Sequence, residues 1–438
     1  MRVPDSSDNM PMQSADMPRV LENLFRHEWG KIVATLTRIF GTERLTLVED
    51  VVQEALARAL QTWPYYGVPE NPSAWIMRVA RNLALDQARR ETRFRKKQEE
   101  IADFLERSDF GDPRFSLDEI EDDRLRMIFV CCHPDIPQEI QVALALRTLC
   151  GFSVGEIANA FLTTEAAIAK RLTRAKQRIR TAHIPFEIPG GKELTERLNG
   201  VLQTLYLLFN EGYKASGGEK LIREELCHEA IRLTDLVACH VAGNRPQTHA
   251  LLALMLLNAA RLSARTDSEG NLLRLKEQNR SRWDKPMIAR GMFHLAQSAN
   301  GAEISAYHLQ AGIAACHCAA REAKATDWPQ ILSLYDRLVE LDDSPIVALN
   351  RAVAVANVHG PAAGMAATKS LRGRKELQSY YLLYAVLGEF EAQLHRPQAA
   401  ANYFRQALKQ TGTTSEQHLL RKRLRECEKQ LASELTPG

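Results

Sequence analysis

Apolar residues recur every three or four positions from about residue 20 to the end of the chain, while β-branched runs are rare. Aromatic residues make up only 7% of the chain, and Ala, Leu, Arg and Glu dominate. Together these predict an all-α protein with little or no sheet. At 438 residues the chain has room for two to four domains. Net charge is only +3, so no global field demands a polyanion, and any affinity for nucleic acid must come from local patches. No apolar run approaches the ~18 residues of a membrane span. The stretch 1–18 has no apolar core and reads as disordered rather than as a signal peptide. Eight scattered cysteines, with Cys131 and Cys132 vicinal, fit a reducing cytoplasm better than a disulfide framework.

The first patch is NPSAWIMRVARNLALDQARR, from Asn71 to Arg90. It predicts one amphipathic helix. Asn71 caps it and Pro72 takes the first helical position, where a missing N–H costs nothing. Trp75, Ile76, Val79, Ala80, Leu83 and Leu85 supply the apolar side. Arg78, Arg81, Asn82, Asp86, Arg89 and Arg90 supply a mostly cationic one. Such a rod suits a phosphate backbone, although a face of this kind is more often merely solvated.

Before it come two helices, one ended by Gly41 and one running to Trp63. In the second, Val48, Val51, Val52, Ala55, Leu56, Ala59 and Leu60 form the expected buried stripe. Glu49, Asp50, Gln53 and Glu54 form an acidic outer face. Pro64 to Pro69 reads as a rigid loop whose Tyr65 and Tyr66 can stack on unpaired bases or simply cover the core.

After it the charge inverts. Residues 98–116 form an acidic linker broken by Gly111 and Pro113. A second module, 117–183, ends in a helix-turn-helix pattern. Ser153 and Glu156 make a capping box, LTT a turn, and Thr164 caps a last helix to about Arg180. Ile157, Ala158, Phe161, Ile168, Leu172, Ala175 and Ile179 are its expected core. Lys170, Arg171, Arg174, Lys176, Arg178 and Arg180 line the exposed face, opposed only by Glu165.

A short linker, 184–193, leads into 194–438, helix after helix with little basic bias. Leu387, Gly388, Ala400, Phe404 and Ala407 fall at spacings used by a tetratricopeptide (TPR) unit, so this part reads as a TPR-like array. No catalytic constellation stands out. Cys131-Cys132-His133 and Cys316-His317-Cys318 have metal-ligand composition but lack the second pair that a structural zinc site needs. The polar groups of FNEGYKAS (Phe209–Ser216) and RSRWD (Arg280–Asp284) read as structural rather than ligand-binding. Neither a cofactor nor a metal is expected.

The two basic modules resemble the bacterial sigma factors. VEDVVQEALARALQTW resembles the part of sigma region 2 that docks on RNA polymerase, and SAWIMRVARNLALDQARR the part that recognises and melts the −10 element. The helix-turn-helix resembles sigma region 4, which reads the −35 element. Leu162 stands where many such turns carry glycine. With only these two regions the chain resembles the extracytoplasmic-function (ECF) group. FNEGY, RSRWD and SPIVALNRAVAVA are similar to its subgroup with a C-terminal TPR-bearing extension. The resemblance implies core-polymerase contacts at Asp50, Gln53 and Glu54. It implies −10 contacts at Tyr65, Tyr66, Arg78, Arg81, Asn82, Asp86, Arg89 and Arg90, and −35 contacts at Thr164, Glu165, Lys170, Arg171 and Arg174. Core RNA polymerase and promoter DNA are then the partners and sigma region 2 spans 19–97, with no membrane and no catalysis. The extension would mask or complete the sigma modules through an intramolecular contact. Fully extended, the linker reaches roughly 60 Å, and a promoter spacer of about 17 base pairs is also roughly 60 Å. The alternative is an operator-binding helix-turn-helix factor with a TPR-like sensor.

Overall fold

A computed structural model describes residues 17–90, 117–161, 163–213, 223–301, 303–371, 373–378, 380–411 and 414–435. Among these there is no strand, only an isolated bridge between Thr266 and Leu272, and the all-α expectation holds. The expected disordered stretch lies outside the described residues apart from Met17 and Pro18, which open the first helix. The acidic linker 98–116 and Leu162 also lie outside them. The chain divides into two compact units, Met1–Thr204 and Leu205–Gly438.

In the first unit, α1 (Met17–Phe40) stops at Gly41, whose φ of 91° a side chain would resist. Helix α2 (Leu45–Tyr66) does not end at Trp63 as expected. It runs through Pro64 to Tyr66 and closes with the Gly67 N–H on the Trp63 carbonyl, 2.9 Å away. Pro64 has no N–H to give the Leu60 carbonyl, yet the helix carries on through Tyr65 and Tyr66, so the loop shrinks to 67–71. Helix α3 (Pro72–Arg90) begins as predicted, with the Ala74 N–H donating to Asn71 Oδ1 at 3.0 Å. Its buried line is Ile76, Ala80, Ala84 and Ala88, four apart and mostly small, which lets α3 lie close on α2. Val79, Leu83 and Leu85 are only half-buried. Trp75 meets Trp63 edge-on, ring centroids 5.4 Å apart.

Four more helices follow in this unit: α4 (Leu117–Cys131), α5 (Gln138–Thr148), α6 (Val154–Ala160) and α7 (Glu165–Thr181). The capping box forms, with the Ser153 N–H on Glu156 at 2.7 Å and the Glu156 N–H on Ser153 Oγ at 3.1 Å. Thr164 Oγ1 accepts the Ala167 N–H at 3.2 Å. Ile157, Ala158, Ile168, Leu172, Ala175 and Ile179 are buried as expected, and Phe161 is half-buried. Helix α8 (Gly191–Tyr213) carries the unit boundary; Arg197 in its first half donates to the Phe129 carbonyl at 2.9 Å, and Thr204 to Gln141 Oε1 at 2.8 Å.

The second unit continues through α9 (Glu224–Cys239), α10 (Pro246–Ala259), α11 (Lys285–Ser298), α12 (Ala306–Ala319), α13 (Trp328–Leu341) and α14 (Pro345–His359). Then come α15 (Pro361–Ala367), α16 (Lys375–Gln378), α17 (Tyr381–Gln393), α18 (Pro397–Leu408) and α19 (Thr414–Leu435). Successive helices pack on one another, as in α13 on α14 and α17 on α18. Gly388 sits so close to Phe404 that an added Cβ would stand 2.8 Å from its ring. The described residues of both polar motifs make contacts within the fold, and Lys214 to Ser216 lie outside the described residues. Glu211 pairs with Arg223 at 3.3 Å, and the Arg265 guanidinium lies 3.9 Å over the Tyr213 ring. Asp284 caps α11 through the Met287 N–H at 2.8 Å, and Trp283 is buried.

Candidate nucleic-acid interface

Helix α3 places its polar residues opposite its buried line. Arg78, Asn82, Asp86 and Arg89 are exposed at spacings of four, four and three, while Arg81 is half-buried. Arg89 and Asp86 approach to 3.7 Å, both about two-thirds exposed, a pair that holds neither side chain firmly. The Arg90 side chain lies outside the described residues. At the end of α2, Trp63 covers the core, but Tyr65 and Tyr66 are 85% and 86% exposed and cover nothing of it. Two adjacent bare phenol rings next to a cationic helix form a stacking surface.

On α7, Thr164, Glu165, Lys170 and Arg174 are exposed and Arg171 is half-buried. The basic face is therefore open along most of its length. Lys176 departs from the expected exposure: it turns inward to Glu49 of α2, Nζ to Oε2 2.7 Å. Glu49 departs as well. Its carboxyl is not part of the outer face but buried, 2% exposed, accepting the Thr148 hydroxyl at 2.8 Å with the Arg147 guanidinium 3.6 Å away. A 3.6-residue count from Leu45, Val48 and Val52 places Glu49 on the apolar stripe, and that signal was present in the sequence. Conversely Leu60, expected inside, is 46% exposed. Asp50, Gln53 and Glu54 are exposed on α2; Gln53 accepts from Arg147 at 3.2 Å and Glu54 pairs with Arg58 at 3.0 Å.

Three further contacts join α1–α3 to α4–α7. Asp123, buried, receives Arg38 at 2.9 Å and Arg126 at 2.8 Å. Burial dominates its titration and raises its carboxyl above the usual range against the pull of both guanidiniums. The Thr42 hydroxyl donates to the Ile184 carbonyl at 2.7 Å. Gly30 of α1 lies against the Leu149 backbone at the end of α5. The Cys131 and Cys132 thiols are fully buried, and burial pushes Cys132 up to about 12, so neither is a thiolate nucleophile. No group of three metal-ligating side chains occurs among the described residues, and no helix there is long and apolar enough to cross a membrane.

Against known proteins, residues 24–94 match the family model of sigma-70 region 2, covering most of α1 and all of α2 and α3. Over 155 residues the chain is 25% identical to the ECF RNA polymerase sigma-E factor of Haemophilus influenzae, which spans 34% of this chain and 80% of that protein. The chain thus carries a sigma-70 region 2 domain, and the two likenesses support a sigma-70 family factor. It is also 39% identical over 394 residues to an uncharacterized protein of Rhizobium meliloti, across 90% of this chain and 92% of that one, and it belongs to that protein's family. Residues 197–299 match a family of unknown function (DUF6596). No solved structure matches.

Proposed function

We propose that the chain is a promoter-specificity subunit of the ECF type. Asp50, Gln53 and Glu54 dock on core RNA polymerase. Helix α3 reads and melts the −10 element, with Arg78, Arg81, Asn82, Asp86, Arg89 and Arg90 facing DNA and Tyr65 and Tyr66 holding a flipped base. Helices α6 and α7 act as a helix-turn-helix on the −35 element through Thr164, Glu165, Lys170, Arg171 and Arg174. Guanidiniums bidentate to guanine specify sequence, and the remaining cations grip phosphate. The polymerase does the bond chemistry.

The observation that carries this reading is the two-sided build of α3 inside a region 2 match. Its small residues are spent on α2, and Arg78 and Arg89 are left on the opposite, open face, with two bare tyrosines at the end of α2. The Glu49–Lys176 contact adds a condition. Promoter elements about 60 Å apart cannot both be read while α7 is held on α2, so loading on polymerase opens this contact. The second unit, read as a TPR-like array, acts in place of a separate anti-sigma protein, either masking the DNA-binding surfaces or completing them.

Run-off transcription with purified core polymerase and the full chain, over a library of promoter sequences, tests the proposal. Promoter-specific transcripts, lost when Asp50, Gln53 and Glu54 are replaced by lysine, are expected. DNA binding that needs no polymerase and yields no transcript would instead make the chain an operator-binding factor.

A further inference from the structure

The second unit holds a half-open cavity of about 450 Å³ that none of the roles above uses. Its walls are apolar: Trp328 from α13, Leu382, Val386 and Phe390 from α17, Phe404 from α18 and Leu420 from α19. The size falls within the ~300–1,000 Å³ of small-molecule sites. Its charges are one-sided. Arg274, Lys276, Arg280 and Arg423 line it, against one carboxylate, Glu389. That carboxylate is shared by Arg274 at 2.9 Å and Arg423 at 2.5 Å, and each of these has a second carboxylate just outside the lining, Glu277 for Arg274 and Glu426 for Arg423.

Two of the cations have no carboxylate partner among the described residues. Lys276 is exposed and makes no ion pair there. Arg280 spends its terminal nitrogens on neutral acceptors, the carbonyls of His317 and Ala320 at 2.6 and 2.7 Å and the Thr326 hydroxyl at 3.0 Å. That closes the end of α12 but leaves the guanidinium charge uncompensated.

We propose that this cavity binds a small amphiphilic carboxylate. The ligand's hydrocarbon body lies against Trp328, Phe390 and Phe404, and its carboxylate faces Lys276 and Arg280. A cationic ligand is disfavoured by Lys276 and Arg280, the two cations with no carboxylate partner among the described residues. A neutral one of the same shape gains the apolar contact but leaves the cations unanswered. The site would give the second unit a chemical input, and it stands whether or not the chain is a sigma factor.

Octanoate and octanamide, which share a chain and differ in charge, test this on the full-length protein. Binding is read by calorimetry and by displacement of 8-anilinonaphthalene-1-sulfonate. Saturable one-site binding of octanoate is expected, with octanamide at least tenfold weaker. Lys276→Glu, on an exposed side chain, is expected to weaken octanoate at least tenfold with an unchanged circular-dichroism spectrum. Leu382→Trp, or Val386→Phe should the first disturb folding, is expected to abolish binding by filling the cavity. Absence of octanoate binding, equal binding of octanamide, or indifference to Lys276→Glu would each overturn the proposal. So would self-association that a filling variant abolishes and octanoate leaves intact, which would give the groove to a second copy of the chain.

Discussion

Lys176 Nζ lies 2.7 Å from Glu49 Oε2, an ion pair closed between residues 127 positions apart. Each partner sits on the buried stripe of its own helix: Glu49 among Leu45, Val48 and Val52, and Lys176 beside Leu172, Ala175 and Ile179. A charge on an apolar stripe is costly alone and tolerable when its opposite meets it. The pair, with Arg147 and Thr148 completing the shell, fixes how α7 seats on α2.

Removing one partner strands the other. Lys176→Met is expected to lower stability by about 2–4 kcal/mol, because the Glu49 carboxylate loses its nearest cation while remaining buried. The double variant Glu49→Leu with Lys176→Met is expected to come within about 1 kcal/mol of the parent. Denaturant unfolding of the four proteins gives the coupling energy. Additive losses would show that the pair does not hold the helices together.

Gly30 offers a test that involves no charge. A Cβ there would stand 2.3 Å from the Leu149 carbonyl oxygen, and both groups are backbone, so neither can swing away. Alanine is intrinsically the better helix former by about 1 kcal/mol. Overpacking of about 1–3 kcal/mol opposes that gain and is expected to win. Gly30→Ala should therefore lower the melting temperature of the first unit by several degrees, and a rise would contradict the packing.

The helical class, the caps at Asn71, Ser153 and Thr164, and the core of α6 and α7 were legible in the sequence, since each follows from local hydrogen bonding and a 3.6-residue period. The exposure of Asp50, Gln53 and Glu54 was legible for the same reason. Three positions depart from the reading of the sequence, and for different reasons. Pro64 read as a helix stop, because proline past the first turn forfeits a bond to residue i−4, yet α2 continues to Tyr66. Glu49 was grouped with its polar neighbours in order along the chain, although helical phase put it inside. Lys176 gave no local sign of its partner, because that partner lies on another module. Charge pairing across modules is a tertiary fact that periodicity does not encode.

The second unit should lose stability in mild acid. Burial, helped by Arg261 and Arg280, pushes His317 down to about 4, well below its ordinary value of about 6.5. Burial also lowers His249, His294 and His308. The unfolded chain therefore binds more protons than the folded one in this window. Stability is complete above about pH 6.5 and falls as pH drops toward 4, His317 alone contributing about 3 kcal/mol at the lower limit. Glu277, held at about 2 chiefly by the Arg274 hydrogen bond, extends the loss below pH 4.5. Calorimetry between pH 7.5 and 5 should show the transition of this unit moving down. His317→Phe should flatten the slope, and a transition that stays put would refute the burial of a neutral imidazole.

The open face of α3 makes the sharpest demand on the functional reading. A side chain that neutralises a phosphate releases a counterion, and its loss lowers the salt slope of binding by about 1. A side chain that reads a base edge instead relaxes specificity at one position, at about 1–3 kcal/mol. With holoenzyme assembled on promoter DNA, Arg78→Ala and Arg89→Ala are each expected to show one signature or the other. Arg351→Ala, at a half-buried arginine of the second unit paired with Asp336 at 2.6 Å, is expected to show neither. Titrations from 50 to 200 mM salt, repeated over single-base promoter variants, separate the two signatures. If Arg78→Ala and Arg89→Ala both bind like Arg351→Ala, this face does not meet DNA, and the polar side of α3 is only its solvated side.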